Sequence, residues 1–208
     1  MDEVKQKILQ TAHDRFLKYG IRKMSVQKLV MPLGISTKTV YKYFKNKEEL
    51  LEEVLRYYFA QQYQLFEKFL KEKSTIPLFF EIWYLAVERE YSVNNAFFHD
   101  LHYYYPELEH KAEREIGEAF WNRLRDVLRK GVHEGVLRKN IHIEIILEAI
   151  AVLFGKITRT ALFQQFKATP YEIFLNTIVP VIRGICTTKG LNELDRHIAA
   201  KTPFKTDI

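Results

Sequence analysis

At 208 residues, 47% of them hydrophobic and 28% charged, the chain has enough apolar content for a sizeable core in one or two domains. No stretch approaches the ~18 uncharged apolar residues that a spanning helix needs, and Met1 opens directly into a charged segment with no apolar leader. The single Cys186 leaves neither an internal disulfide nor a cysteine-based zinc site, so a reducing, cytoplasmic setting is expected. The net charge of +6 is unevenly placed: residues 1–47 carry eleven Lys and Arg against Asp2, Glu3 and Asp14, a surplus of +8 that leaves −2 for the remainder. Scattered lysines most often form a solvated face, but a surplus confined to one end points to a polyanion there.

Residues 3–19 predict a first helix with Val4, Ile8, Ala12, Phe16 and Tyr19 on its buried side and Gly20 as its stop. The next stretch, SVQKLVMPLGISTKTVYKYFKNK from Ser25 to Lys47, predicts two short helices and the start of a third. Ser25 caps the first of these, whose Val26, Leu29, Val30 and Leu33 fall on one face. Gly34 then offers a left-handed turn residue with Ile35 behind it. Ser36 caps the second, which points Val40 and Phe44 inward and leaves Thr37, Lys38, Thr39 and Lys42 on a cationic outer face. Pro32 lacks an amide proton and crowds the carbonyl four residues back, so the first of the pair should be shortened or bent in its last turn. Asn46 with Glu49 starts a long helix running to about residue 72.

Beyond it, helical runs are predicted at about 77–91, 94–103, 107–134, 142–166 and 170–187, with no strand pattern. Pro106 and the Gly131–Gly135 region mark breaks, and Thr169, Pro170 and Glu172 form a start signal for the last run. The tail from Lys189 is polar and expected to fray. The fold class is therefore all-α: a three-helix helix-turn-helix module at 1–47, joined by a long helix to a helical bundle over 48–208.

Leu29, Val30, Leu33, Gly34, Ile35, Ser36, Val40, Tyr41, Phe44, Lys47 and Leu50 fall in an order and spacing that resembles the tetracycline-repressor-like (TetR) family of bacterial transcriptional regulators. The resemblance is specific over residues 4–55. It implies a DNA-binding domain at 1–47, an effector-binding and dimerisation domain at 48–208, and a homodimer reading a palindromic double-stranded operator. Carried over by position, Thr37, Lys38 and Thr39 face bases with Ser36 and Lys42 beside them, while Ser25, Tyr41 and Lys47 meet phosphates. Physical chemistry agrees with that division: Lys, Tyr and Ser fix register on phosphates, and side chains at the start of a recognition helix reach base edges. Two positions depart from the family pattern, Pro32 with Leu33 where small residues are usual, and Lys38 where glycine is common.

The central segments are densely aromatic. Any one such ring is most often core, but their number suits a cavity for a mostly apolar small-molecule effector, with Trp83, Phe98, His102, Trp121 and Phe154 as the expected lining. His99 and His102 lie one turn apart without a third ligand, so neither a metal nor a cofactor is expected. The alternating Glu and Lys or Arg from Glu107 to Arg123 is a charge ladder of an exposed face, and no phosphate loop or nucleophile elbow occurs, so an enzyme is not expected. Two late apolar stripes are the expected dimer surface, with Ile145, Ala149, Val152 and Lys156 on one helix and Thr177, Ile178, Val181 and Ile185 on the other; the bland alternative is monomer core. A ligand-responsive repressor follows. The competing class is a helical small-molecule-binding or scaffold protein without specific DNA binding, and a gel shift separates the two.

Overall fold

A computed structural model describes residues 2–72 and 74–201. Eleven α-helices are ordered along the described chain: α1 Glu3–Tyr19, α2 Val26–Val30, α3 Thr37–Val40, α4 Lys47–Glu72, α5 Thr75–Tyr91, α6 Asn95–Tyr104, α7 Pro106–Ala112, α8 Glu118–His133, α9 Ile143–Thr158, α10 Pro170–Ile185 and α11 Thr188–Lys201. No strand occurs among the described residues; Leu137 and Cys186 form an isolated antiparallel bridge. The residues pack into two compact units, Met1–Leu65 with Tyr91–Ala119, and Phe66–Glu90 with Phe120–Ile208. The expected division after residue 47 falls inside the first of these units.

In the first unit the predicted helix at 3–19 forms with those bounds. Ile8, Ala12 and Phe16 are fully buried, but Val4 and Tyr19, expected on the same side, are 38% and 39% exposed. Their neighbours explain it: α1 packs against α2 and α6, and only its central turns are covered. As Pro32 predicts, α2 is cut to five residues and the chain tightens into a 3₁₀ turn over Met31–Leu33. Gly34 ends that turn at φ 64, the left-handed conformation that glycine adopts without Cβ cost. Val26, Leu29, Val30, Val40 and Phe44 join Ile8, Phe16 and the α4 residues Leu50, Leu51 and Val54 in one core. Asn46 Oδ1 accepts from Glu49 N at 2.8 Å, and the Glu49 carboxylate accepts from Lys45 N, so α4 starts with both ends of its first turn satisfied.

In the second unit, Phe79, Phe80, Trp83 and Val87 of α5 are buried, and Phe80 meets Phe174 of α10 edge-on with centroids 4.9 Å apart. The helix predicted over 142–166 ends at Thr158. The hydroxyl of Thr160 donates to the Lys156 carbonyl at 2.6 Å and accepts from Leu162 N, so a side chain replaces the next helical bonds. Thr169 and Glu172 form the expected capping box of α10, which runs on through Pro180. The described part of the tail is not frayed as expected, since residues 188–201 form α11, and 202–208 lie outside the described residues. Leu194 is fully buried, the Gly190 backbone lies so close to Val136 that an added Cβ would sit 2.1 Å from its carbonyl oxygen, and Glu81 of α5 accepts from His197 and Lys201 at 2.8 and 2.7 Å. A polar sequence concealed a helix held by long-range contacts. No described helix is long and apolar enough to cross a membrane.

Candidate functional site

Two capped helices present the cationic face. Ser25 Oγ accepts from Lys28 N at 3.2 Å, and Ser36 Oγ accepts from Thr39 N at 3.3 Å, satisfying amides that a helix start otherwise leaves open. With Val40 and Phe44 locked in the core, Lys38, Tyr41 and Lys42 are turned outward, and Tyr41 is 52% exposed. Thr37 and Thr39 are half-buried beside them, and the Thr39 and Ser36 hydroxyls are 3.2 Å apart. Ser25 and Ser36 are exposed. Seven of the eight DNA-facing residues named from the sequence thus lie on the outer rims of α2 and α3, and Lys38 and Lys42 have no ion pair among the described residues.

Lys47 is the eighth and it differs. Its Nζ donates to the Ile21 carbonyl at 2.6 Å and sits 5.8 Å from the centre of the Phe16 ring. Burial lowers its pKa below the ordinary lysine value, against the opposing pull of Asp100. Asp100, on α6 between His99 and His102, is a residue that the sequence did not single out. Its Oδ2 accepts from Ile21 N at 2.9 Å and Arg22 N at 2.8 Å, and only 8% of the residue is exposed. One carboxylate therefore fixes the connection between α1 and α2, and the Ile21 peptide is held on its amide side by Asp100 and on its carbonyl side by Lys47. A lone acid between Phe97, Phe98 and Leu101 was the available signal, because a carboxylate buried among apolar residues requires partners. His99 and His102 are themselves exposed, with His102 on Glu109 at 3.1 Å.

The expected effector residues divide between the units. Trp83, Trp121 and Phe154 meet in the second, with ring centroids 6.3 Å (Trp83 to Trp121) and 5.7 Å (Trp83 to Phe154) apart. Trp83 is 3% exposed, and its Nε1 is buried without a hydrogen-bond partner. Phe98 packs against Phe97 in the core of the first unit, where His102 is an exposed residue. The expected dimer residues divide as well. Ile145, Ala149, Val152 and Lys156 are exposed along α9, and Ile145, Ala149 and Val152 line a shallow apolar depression with Glu144, Glu148 and Leu153. On α10, Thr177 and Val181 are half-buried, but Ile178 and Ile185 are buried in their own unit and have no surface to offer a second chain.

Residues 8–54 match the family described as bacterial regulatory proteins, tetR family. The chain is 26% identical over 172 residues to the fatty acid metabolism regulator protein of Bacillus subtilis (strain 168), covering 80% of this chain and 86% of that protein. Its fold is similar to the transcriptional regulator FadR from Bacillus subtilis solved with stearoyl-CoA, at a TM-score of 0.65, 20% identity, and coverage of 86% of this chain and 98% of that one. It is also similar to reduced NemR of E. coli, at a TM-score of 0.71, 17% identity, and coverage of 89% and 98%.

Proposed function

We propose that this chain, which belongs to the tetR family of bacterial regulatory proteins, is a cytoplasmic homodimeric repressor that leaves a palindromic operator when a mostly apolar small molecule binds. The observation that carries the reading is the pair of capped helices whose buried residues turn Lys38, Tyr41 and Lys42 outward on the +8 segment. Residues 1–47 read DNA, and 48–208 bind effector and pair subunits. Thr37, Lys38 and Thr39 reach base edges, with Ser36 and Lys42 flanking, while Ser25, Tyr41 and Lys47 hold phosphates. Lys47 does so by exchanging its bond to the Ile21 carbonyl for one to phosphate. Two recognition helices enter successive major grooves only when about 34–36 Å apart, or a multiple of that. An effector that prefers a form with another spacing releases DNA, to the extent of its differential affinity.

The ring cluster of Trp83, Trp121 and Phe154 supports an apolar effector, and the unpaired Trp83 indole supports one that carries a hydrogen-bond acceptor. The fatty acid regulator similarity makes acyl thioesters the first class to test. Subunits pair through the exposed α9 face of Ile145, Ala149, Val152 and Lys156 and the neighbouring Thr177 and Val181 of α10. The chain has no catalytic role, cofactor or metal in this reading. A gel shift with the DNA upstream of its own gene, at moderate salt with competitor DNA, tests the reading, followed by titration with acyl-CoAs of graded length. Specific retardation reversed by one chain-length range supports it, and equal binding to competitor and upstream DNA refutes it in favour of a helical binding or scaffold protein.

A further inference from the structure

Three cations in the first unit converge on one concavity without an acid to balance them. Arg15 and Tyr19 of α1, Lys23 and Met24 of the following connection, Lys28 of α2 and Asn94 at the start of α6 line it. Several other cations in the unit are matched, Lys5 with Glu53, Lys7 with Glu3, Lys111 with Glu52, and Arg56 with Glu52 and Glu115, whereas Lys38 and Lys42 stand unpaired among the described residues on the outer rim of α3 without lining a concavity. Arg15, Lys23 and Lys28 have no ion pair among the described residues, and Asp14, beside Arg15 in sequence, is bonded to His13 at 2.9 Å. The Arg15 guanidinium lies 5.3 Å from the centre of the Tyr19 ring, and its Nε is buried with no hydrogen-bond partner.

We infer that this pocket is a binding site for the phosphate or pyrophosphate group of a small molecule. Three like charges around one concavity repel until an anion sits among them, and a guanidinium with two ammonium groups offers the donors a phosphoryl group accepts. The wall is fixed: Asn94 Nδ2 donates to the Lys18 carbonyl at 3.1 Å, and Asn94 N donates to that of Leu17 at 2.9 Å. Shape separates this site from the DNA-facing rim. The rim residues project outward to reach a duplex, whereas Arg15, Lys23 and Lys28 converge on a concavity.

The test is calorimetric titration of the full chain with inorganic pyrophosphate, against sodium chloride at matched ionic strength. Saturable binding of one pyrophosphate per chain is expected, and Arg15→Gln or Lys23→Gln should weaken it about tenfold or more, the loss of a charged hydrogen bond. Lys23 is exposed in a connection, so its variant stays informative if Arg15→Gln disturbs folding. Absence of saturable binding overturns the inference, as does unchanged affinity in both variants. A parallel anisotropy titration with duplex DNA separates the sources: if wild type ignores pyrophosphate while both variants lose DNA affinity on every sequence, the pocket belongs to backbone phosphate and the inference fails.

Discussion

The Asp100 carboxylate gives the sharpest energetic prediction. Oδ2 receives two backbone amides, of which Ile21 N is buried and Arg22 N partly so. A hydrogen bond to a charged group contributes about 1.5–3 kcal/mol, and a neutral one about half as much. Asp100→Asn keeps an oxygen in place but makes both bonds neutral, so a loss of about 1–2 kcal/mol is expected. Asp100→Ala removes the acceptor and strands the Ile21 amide. The expected loss is about 3 kcal/mol or more, near the upper end for single substitutions. In a chain of this size 1 kcal/mol moves Tm by about 2–4 °C, so the alanine variant should melt about 6–12 °C lower. Urea unfolding followed by circular dichroism reads both values. The ordering matters more than the sizes: if the asparagine and alanine variants were equally stable, or both within about 0.5 kcal/mol of wild type, the two-amide clamp would not hold the α1–α2 connection.

Gly20 sits at φ 81 with an added Cβ only 3.1 Å from both Ala96 Cβ and Asp100 Oδ2, so Gly20→Ala should cost about 1–3 kcal/mol in the same assay. Lys47→Ala should flatten the salt dependence of DNA binding by about one unit of slope per half-site and weaken all sequences alike; an unchanged slope removes Lys47 from the phosphate contacts. Thr39→Ala should change the motif recovered by selection from random DNA, and recovery of the wild-type motif argues against base contact. Val152→Glu, placing a charge on the exposed α9 face, should yield monomers by light scattering, and an intact dimer moves the interface elsewhere. Burial pushes the Cys186 thiol up to about 11, from an ordinary value near 9. The unfolded chain therefore ionises first, and stability should fall between those two pH values by about 2–3 kcal/mol. Cys186→Ala should remove that part of the decline, and identical pH profiles for the two proteins would refute it.

The helical elements were largely readable from the chain because their determinants are local. Ser25, Ser36 and Thr169 cap amides within three residues, Gly34 supplies a left-handed turn, and Pro32 cuts α2 short through its own ring. The outer rim of α3 was readable for the same reason, since Val40 and Phe44 at helical spacing dictate which side faces solvent. Where the determinant was distant, sequence reading failed. α11 forms on a polar stretch because Glu81, more than a hundred residues away, pairs with His197 and Lys201. Ile178 and Ile185 belong to the same apolar stripe as Val181, yet packing buries the first two and leaves Val181 half-buried.

The amino-acid sequence by itself determined the succession of helices, the +8 surplus of residues 1–47 and the residues that α3 turns outward. Periodicity, caps and charge act over a few residues and need no partner. Only the tertiary structure decided that Asp100 clamps Ile21 and Arg22, that Lys47 turns to the Ile21 carbonyl, and that Arg15, Lys23 and Lys28 converge without an acid. Those are relations between residues remote in sequence, and a buried charge or an open concavity is defined by what the folded chain places around it.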